Sequence, residues 1–292
     1  ICNAASLADC FERLAVNAVI HLAAESHVDR SITGPAPFVQ TNLLGTFNLL
    51  ELARAALGRG VAFRFHHVST DEVFGSAGGE ARYSESDPYR PNSPYAATKA
   101  GADHLVRSYH QTYGLDTVVS NSSNNFGPYQ FPEKLIPLVI RNAVAGLPIP
   151  MYGDGKQCRD WLYVVDHCNA LDLIFHRGEP GESYVVSAGC EHQNLDLVTA
   201  ICRRLGQRLG GGPREKQILF VADRPGHDRR YALDASKVTR DLGWKPSFLF
   251  DDALDRTISW YLSNSAWVEQ CTSGSYREYY AGMYDHRIRD AR

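Results

Sequence analysis

Apolar and polar positions in the first half of the chain fall into two alternating patterns. Ala18-Val19-Ile20-His21-Leu22-Ala23-Ala24 is a nearly continuous apolar run of buried-strand type. It ends in the polar cluster Glu25-Ser26-His27-Val28-Asp29-Arg30-Ser31. Over residues 37–57 the apolar positions Phe38, Leu43, Leu44, Phe47, Leu50 and Leu52 recur at helical spacing. Residues 63–69 read as a second strand, followed by a Gly-rich loop at 75–79. The turn Pro91-Asn92-Ser93-Pro94 opens a helix that runs to about Tyr113 and stops at Gly114. Residues 117–121 form the next strand, and residues 6–14 read as the end of a short amphipathic helix. Strands alternating with helices in this way predict a parallel sheet.

Beyond Asn124 the character changes. Loops rich in Pro, Gly and Arg alternate with helical stretches at 133–145, 165–175 and 195–205, and residues 251–262 read as the final helix. The expected fold is α/β. A Rossmann-type doubly wound sheet occupies residues 1–124. A smaller substrate-binding α/β lobe occupies residues 125–292, some of whose segments return to the sheet. There are no internal repeats and no low-complexity tracts.

Composition narrows the class. The 292 residues are 44% hydrophobic and 22% charged, which is ordinary for a globular protein. A net charge of −3 gives no reason to expect nucleic-acid binding. No apolar run reaches membrane-spanning length, so no membrane partner is expected. Cys2, Cys10, Cys158, Cys168, Cys190, Cys202 and Cys271 are odd in number, scattered and without a C-x-x-C pair. That pattern fits reduced thiols in the cytoplasm. The eleven histidines show no zinc-ligand spacing, and no metal is expected.

The chemistry concentrates in Ser69-Thr70-Asp71-Glu72 and Tyr95-Ala96-Ala97-Thr98-Lys99. Tyr and Lys four apart on a helix share a face, where the ammonium can stabilise a tyrosinate and make Tyr95 a base. A lone Tyr-x-x-x-Lys is more often a surface pair. Here it begins a helix that follows a strand ending in an acid pair, and that arrangement suits an α/β active site. Tyr95 and Lys99 imply redox at a carbinol, and the added carboxyls imply a further step such as loss of water. Neighbours on a regular strand point to opposite faces, so Asp71 and Glu72 can serve one substrate only from a turn past the strand end. One feature of dinucleotide-binding sheets is missing. No Gly-rich turn precedes the first helix, and Gly210-Gly211-Gly212 is a late loop. On a Rossmann reading roughly the first 60 residues, including the first βαβ unit, would be absent.

Six segments carry a family resemblance. They are Leu22 to Ser31, Ser69 to Gly75, Ser93 to Lys99, Asn124 to Pro137, Arg159 to Tyr163 and Asp223 to Arg230. With them the chain resembles the extended short-chain dehydrogenase/reductases, the NAD-dependent epimerase/dehydratase group, and within it the dTDP-glucose 4,6-dehydratase family. The resemblance implies tightly held NAD, a nucleotide-sugar substrate and a homodimer formed through the helices at 37–57 and 94–113. It implies that Tyr95 takes the proton of the sugar 4-hydroxyl while hydride leaves C4. Thr70 would hydrogen-bond the 4-keto oxygen, Glu72 would remove the C5 proton, and Asp71 would protonate the departing 6-hydroxyl before hydride returns to C6. Lys99 would bridge the nicotinamide ribose and Tyr95. NAD would lie along Leu22, Ala23, Ala24, Glu25 and Ser26, with Thr41, Asn125 and, at the adenine, Ile1. The nucleotide-sugar would meet Ser26, Thr70, Asn124, Lys134, Leu135, Pro150, Met151, Tyr152, Arg159, Asn194, Asp223, Arg224, Pro225, Gly226 and His227.

Two rivals remain at this stage. The first is a 4-epimerase or a dehydratase for another nucleotide; an epimerase has no need of Asp71 and Glu72. The second is an idle binding module, which the complete catalytic set argues against. Residues 1–292 alone, without the phosphate-binding turn, are expected to turn over negligibly and to expose apolar surface.

Overall fold

The computed structural model describes residues 1–291. Strands β1 (Ala18–His21), β2 (Arg64–Thr70), β3 (Asp116–Ser122) and β7 (Ser183–Val186) form one sheet in the order β1-β2-β3-β7, parallel throughout. Parallel neighbours need crossovers, and helices supply them on both faces. Helices α4 (Gly45–Gly58) and α5 (Pro94–Tyr113) cover one face, burying Leu50, Ala53, Phe65, Val106 and Leu115. Helices α7 (Val164–Arg177) and α9 (Ser236–Leu242) cover the other, around Val118, Ile174, Tyr184, Val238 and Trp244. Coverage on both faces buries most of β2 and β3 although both carry His, Ser, Thr or Asn, whereas the apolar β1 leaves Ile20 40% exposed.

The remaining strands make two small sheets. In one, β4 (Asn124–Phe126) is parallel to β6 (Cys158–Tyr163), which is antiparallel to β8 (Glu191–Gln193). In the other, β5 (Ile149–Tyr152) is parallel to β9 (Ile218–Val221). Helices α6 (Leu135–Ala145), α8 (Asn194–Leu209) and α10 (Phe250–Ser263) pack against them around Phe126, Ile136, Ile140, Trp161, Ile201 and Leu254.

Three features depart from the sequence reading. The stretch at 37–57 is not one regular helix. A short α3 (Ala36–Phe38) passes into a π-turn, Val39–Leu44, and then into α4. Buried Asn42 lies in that turn. Its side chain accepts from the Glu25 amide at 2.9 Å and donates to the Glu25 carbonyl and to Thr98 Oγ1, both at 3.0 Å. The wider turn thus delivers a polar group from an apolar stretch. The polar cluster after β1 contains a helical turn, α2 (Val28–Thr33), capped by the His27 ring. Finally, α10 is not the last helix. Helices α11 (Ser265–Cys271), α12 (Ser275–Tyr280) and α13 (His286–Asp290) follow, the last two joined by a π-turn. Their apolar face is tyrosine, which a scan for aliphatic periodicity passes over. Among the described residues no helix is long and apolar enough to cross a membrane.

Candidate active site

Backbone chemistry sets the site at the C-terminal end of β2. Thr70 has extended backbone and caps a 3-10 turn, Asp71–Phe74, by accepting from the Glu72 amide at 3.3 Å. The turn lifts both carboxyls off the strand, so they no longer point to opposite faces. It closes at Gly75, whose φ of 78° and close approach to the Arg90 carbonyl leave no room for a Cβ. Across from it, Ser93 caps α5 by accepting from the Ala96 amide, Pro94 starts the helix, and Gly114 ends it with a left-handed φ of 68°. Tyr95 and Lys99 therefore sit in the first turns of α5, with Lys99 only 4% exposed.

Electrostatics divide the acid pair. Burial drives the Asp71 carboxyl well above the usual carboxylate range, and the Glu72 charge adds to this. Its Oδ1 accepts from Thr70 Oγ1 at 3.2 Å, and its Oδ2 is buried without a partner. Glu72 is also raised by burial, but Arg224, Arg159 and Lys134 oppose the rise. An acid and a base side by side result. Burial, and then the Glu72 charge, push the Tyr95 phenol up, while a hydrogen bond with Thr70 pulls it down. Lys99 is lowered to about 8 by burial. Its Nζ donates to the Val68 carbonyl at 2.7 Å and lies 3.4 Å from His67 Nε2.

Glu72 opens into a cleft between the sheet and the smaller lobe. Ten of the residues assigned to the nucleotide-sugar line it: Asn124, Lys134, Leu135, Pro150, Met151, Tyr152, Arg159, Asn194, Arg224 and His227. The others lie around it. Pro225 borders a neighbouring hollow, and Thr70 sits beneath Asp71. The Ser26 carbonyl accepts from Lys134 Nζ at 2.6 Å. Asp223 accepts from Gln157 Nε2 at 2.9 Å and contacts His227 Nδ1 at 2.6 Å, so it fixes the loop around left-handed Gly226. Arg159 lies flat over the Tyr231 ring at 4.2 Å and donates to the Cys158 and Asp228 carbonyls, both at 2.8 Å. Arg224 is the less committed cation, 3.5 Å from Asp29 Oδ1, with its Nε buried and without a partner.

Residues assigned to NAD gather at the ends of β1 to β3, except Ile1, which packs on Gly45 and accepts from Asn48 at 3.1 Å. Ala23 is exposed and Ala24 half-buried, leaving a small-residue shelf after β1. Thr41 is half-buried in the π-turn. Buried Ser123 Oγ and Asn125 Oδ1 have no partner, spare polar atoms at the end of β3. These residues fit a flat, polar-edged cofactor.

Sequence reasoning missed part of the cleft. Tyr231 donates to Asp228 Oδ2 at 2.8 Å and reaches Glu72 Oε2 at 3.5 Å. Asp29 is 5% exposed and accepts from the Tyr152 hydroxyl at 3.1 Å. Tyr284, from the π-turn before α13, also lines the cleft. A polar cluster directly after a strand was the available signal for Asp29, and proximity to His227 was the one for Tyr231. Tyr284 had none. The C-terminal segment is held over the cleft by ring contacts: Arg30 over Tyr279 at 4.2 Å, Arg141 over Tyr280 at 4.6 Å and Arg287 over Tyr152 at 5.0 Å.

A family model described as GDP-mannose 4,6 dehydratase matches residues 1–257. The chain is 56% identical over 269 residues to a dTDP-glucose 4,6-dehydratase of Xanthomonas campestris pv. campestris, spanning 89% of this chain and 77% of that protein. It is 50% identical over 302 residues to the Salmonella typhimurium dTDP-glucose 4,6-dehydratase, spanning 98% and 84%. The fold superposes with a TM-score of 0.85 on DesIV, a dTDP-glucose 4,6-dehydratase from Streptomyces venezuelae solved with NAD and TYD bound. That match is 45% identical and covers 92% of this chain and 80% of the other.

Proposed function

The chain belongs to the dTDP-glucose 4,6-dehydratases, and on that premise we propose how its residues divide the reaction. The enzyme is an NAD-dependent hydro-lyase of deoxysugar biosynthesis that converts dTDP-glucose to dTDP-4-keto-6-deoxyglucose and water. NAD, when bound, supplies the hydride acceptor at C4 and the donor at C6. Leu22 to Ser26, Thr41, Asn125, Ile1, Tyr95 and Lys99 would hold it. Tyr95 accepts the 4-hydroxyl proton once Thr70 and the Lys99 charge offset the burial that raises its phenol, and Thr70, already hydrogen-bonded to Asp71, stabilises the new ketone oxygen. The ketone acidifies the C5 proton, which Glu72 removes. Asp71, kept toward its protonated form by burial, donates to the 6-hydroxyl as it leaves. Arg224, Arg159 and Lys134 face the diphosphate, and Tyr152 and Asn194 face the nucleoside.

The observation that carries this reading is the acid pair on the turn past β2, with Asp71 biased toward its acid form and Glu72 opening into the cleft. A 4-epimerase has no use for that pair. Glu72→Gln is expected to lower kcat by roughly 10²–10⁴-fold, with no 4-keto-6-deoxy product above background. Undiminished dehydration, followed by the ultraviolet absorbance of the product in alkali, would remove Glu72 as the C5 base.

Residues 1–124 serve mainly NAD and residues 125–292 mainly the nucleotide-sugar in this proposal, with β7 returned to the sheet. We place the enzyme in the cytoplasm, as its free cysteines suggest. A homodimer through the π-turn and α4 is supported by exposed Val39, Leu44 and Phe47. Light scattering at twice the chain mass is the expected result.

A further inference from the structure

Lys99 poses a problem that its redox role does not solve. Its ammonium is nearly sealed from water, and its one short hydrogen bond goes to the Val68 carbonyl. A buried cation needs a counter-charge. Asp103 is four residues further along α5, on the same face and 4% exposed. His67 on β2 lies between them, with Nε2 at 3.4 Å from Lys99 Nζ and 3.2 Å from Asp103 Oδ1. The other carboxylate oxygen of Asp103 accepts from Ser69 Oγ at 2.8 Å, the Tyr89 hydroxyl at 2.9 Å and Asn121 Nδ2 at 3.2 Å. Three donors, from β2, β3 and a loop, converge on one oxygen of this buried carboxylate, and His67 stands beside the other.

We propose that Asp103, with His67 packed between the two, is the counter-ion whose charge keeps Lys99 charged and aimed, which makes Asp103 a positioning residue of the redox step. Burial alone would push the Asp103 carboxyl up. The His67 ring beside it, the Lys99 charge and the bond from Ser69 hold it below the ordinary carboxylate value. His67 is driven down to about 4 by burial and by Lys99, so at neutral pH it is uncharged; its single Nε2 can accept from Lys99 or donate to Asp103 but not both, and Asp103 acts on Lys99 through its charge. Other groups facing this trio are His21 on β1, Tyr95 on α5, and Asp71 and Glu72 on the turn past β2. Of these, His21 is lowered to about 2 and stays neutral, and the Asp71 carboxyl favours its proton. That leaves Asp103 as the anion held by the most donors within reach of Lys99.

The proposal rests on the redox role assigned to Lys99, but its first test does not depend on turnover. The chain has six lysines, so the Lys99 side-chain nitrogen can be followed by NMR of ¹⁵N-lysine protein, with Lys99→Met for assignment. Asp103→Asn is expected to lower the Lys99 titration midpoint by one pH unit or more, and Asp103→Glu to restore most of it. An unmoved midpoint overturns the proposal. If Asp103→Asn does not fold, the wild type still decides: a Lys99 midpoint below pH 7 would mean that no effective counter-ion is present. In the active enzyme the alkaline limb of the kcat profile should move down with the Lys99 midpoint. A purely structural role for Asp103 would lower kcat at every pH without moving that limb. A wild type that binds NAD yet makes no 4-keto-6-deoxy product would overturn the reaction assigned to the site and leave the NMR shift as a separate result.

Discussion

Asp71 and Asp103 lie on opposite sides of the end of β2, 3% and 4% exposed, and their carboxyls lean in opposite directions. Asp71 has one donor, Thr70 at 3.2 Å, an unpartnered second oxygen and an acidic neighbour; it favours its proton. Asp103 has three donors on one oxygen, and His67 Nε2 stands 3.2 Å from the other, which like Asp71 Oδ2 forms no hydrogen bond; it favours its charge. Equal burial thus gives opposite chemistry, and the supply of donors decides which. The substrate side of the strand end holds a proton to give, and the redox side holds a charge to lend.

The largest effect expected from this contrast is kinetic. Asp71→Asn should cut dehydration by roughly 10²–10⁴-fold without lowering the melting temperature, because an amide resembles the protonated acid already favoured there. Asp103→Asn should do the converse to stability, costing about 1–3 kcal/mol as its converging donors lose their charged acceptor. Thermal melts of the two variants at pH 7 check this, and greater destabilisation by Asp71→Asn would break the comparison. The signs follow from linkage. A raised carboxyl pKa costs stability above about pH 4, and a lowered one contributes stability above about pH 4 that is lost on acidification.

Acid sharpens the same contrast. His21 and His67 are buried on the Lys99 face of the sheet and His66, bonded to Ser120 Oγ, on the other; burial first lowers them to about 2, 4 and 3. The unfolded chain binds these protons at about pH 6.5 and the native state does not, so stability is full above that pH and falls below it. The unfolding free energy from urea titrations should drop between pH 7 and pH 5 by roughly 1–2 kcal/mol per histidine. A flat profile would mean that these rings are hydrated or already charged. The smallest effect concerns Arg229 and Asp154, paired at 2.8 Å on the exposed surface. Arg229→Ala should leave kcat and the urea midpoint unmoved, since exposed pairs are screened.

Most of the sheet was legible because short strand-like stretches alternate with periodic helical ones, which is the signature of parallel strands joined by helical crossovers. Tyr95, Lys99, Asp71 and Glu72 were legible because their spacing is local. The need for a turn at Asp71 followed from strand geometry alone, and the structure has that turn. What stayed hidden depends on distant partners. Asn42 carries no local signal, because its partners Glu25 and Thr98 are distant in sequence. Asp103 carries none either, because Ser69, Tyr89 and Asn121 come from other elements. The tyrosines of the C-terminal segment show no purpose without the cleft they cover.

That segment also bears on how the enzyme assembles. The Tyr279 hydroxyl meets the His27 ring at 3.4 Å across 252 positions of sequence. Such a contact closes a loop nearly as long as the chain, with the entropy that entails. During synthesis the sheet and its acid pair can form while this tail is still in the ribosome. The nucleotide cleft acquires its outer wall only when the last helices emerge, so a chain stalled or clipped before Tyr279 would carry its catalytic groups behind an open door.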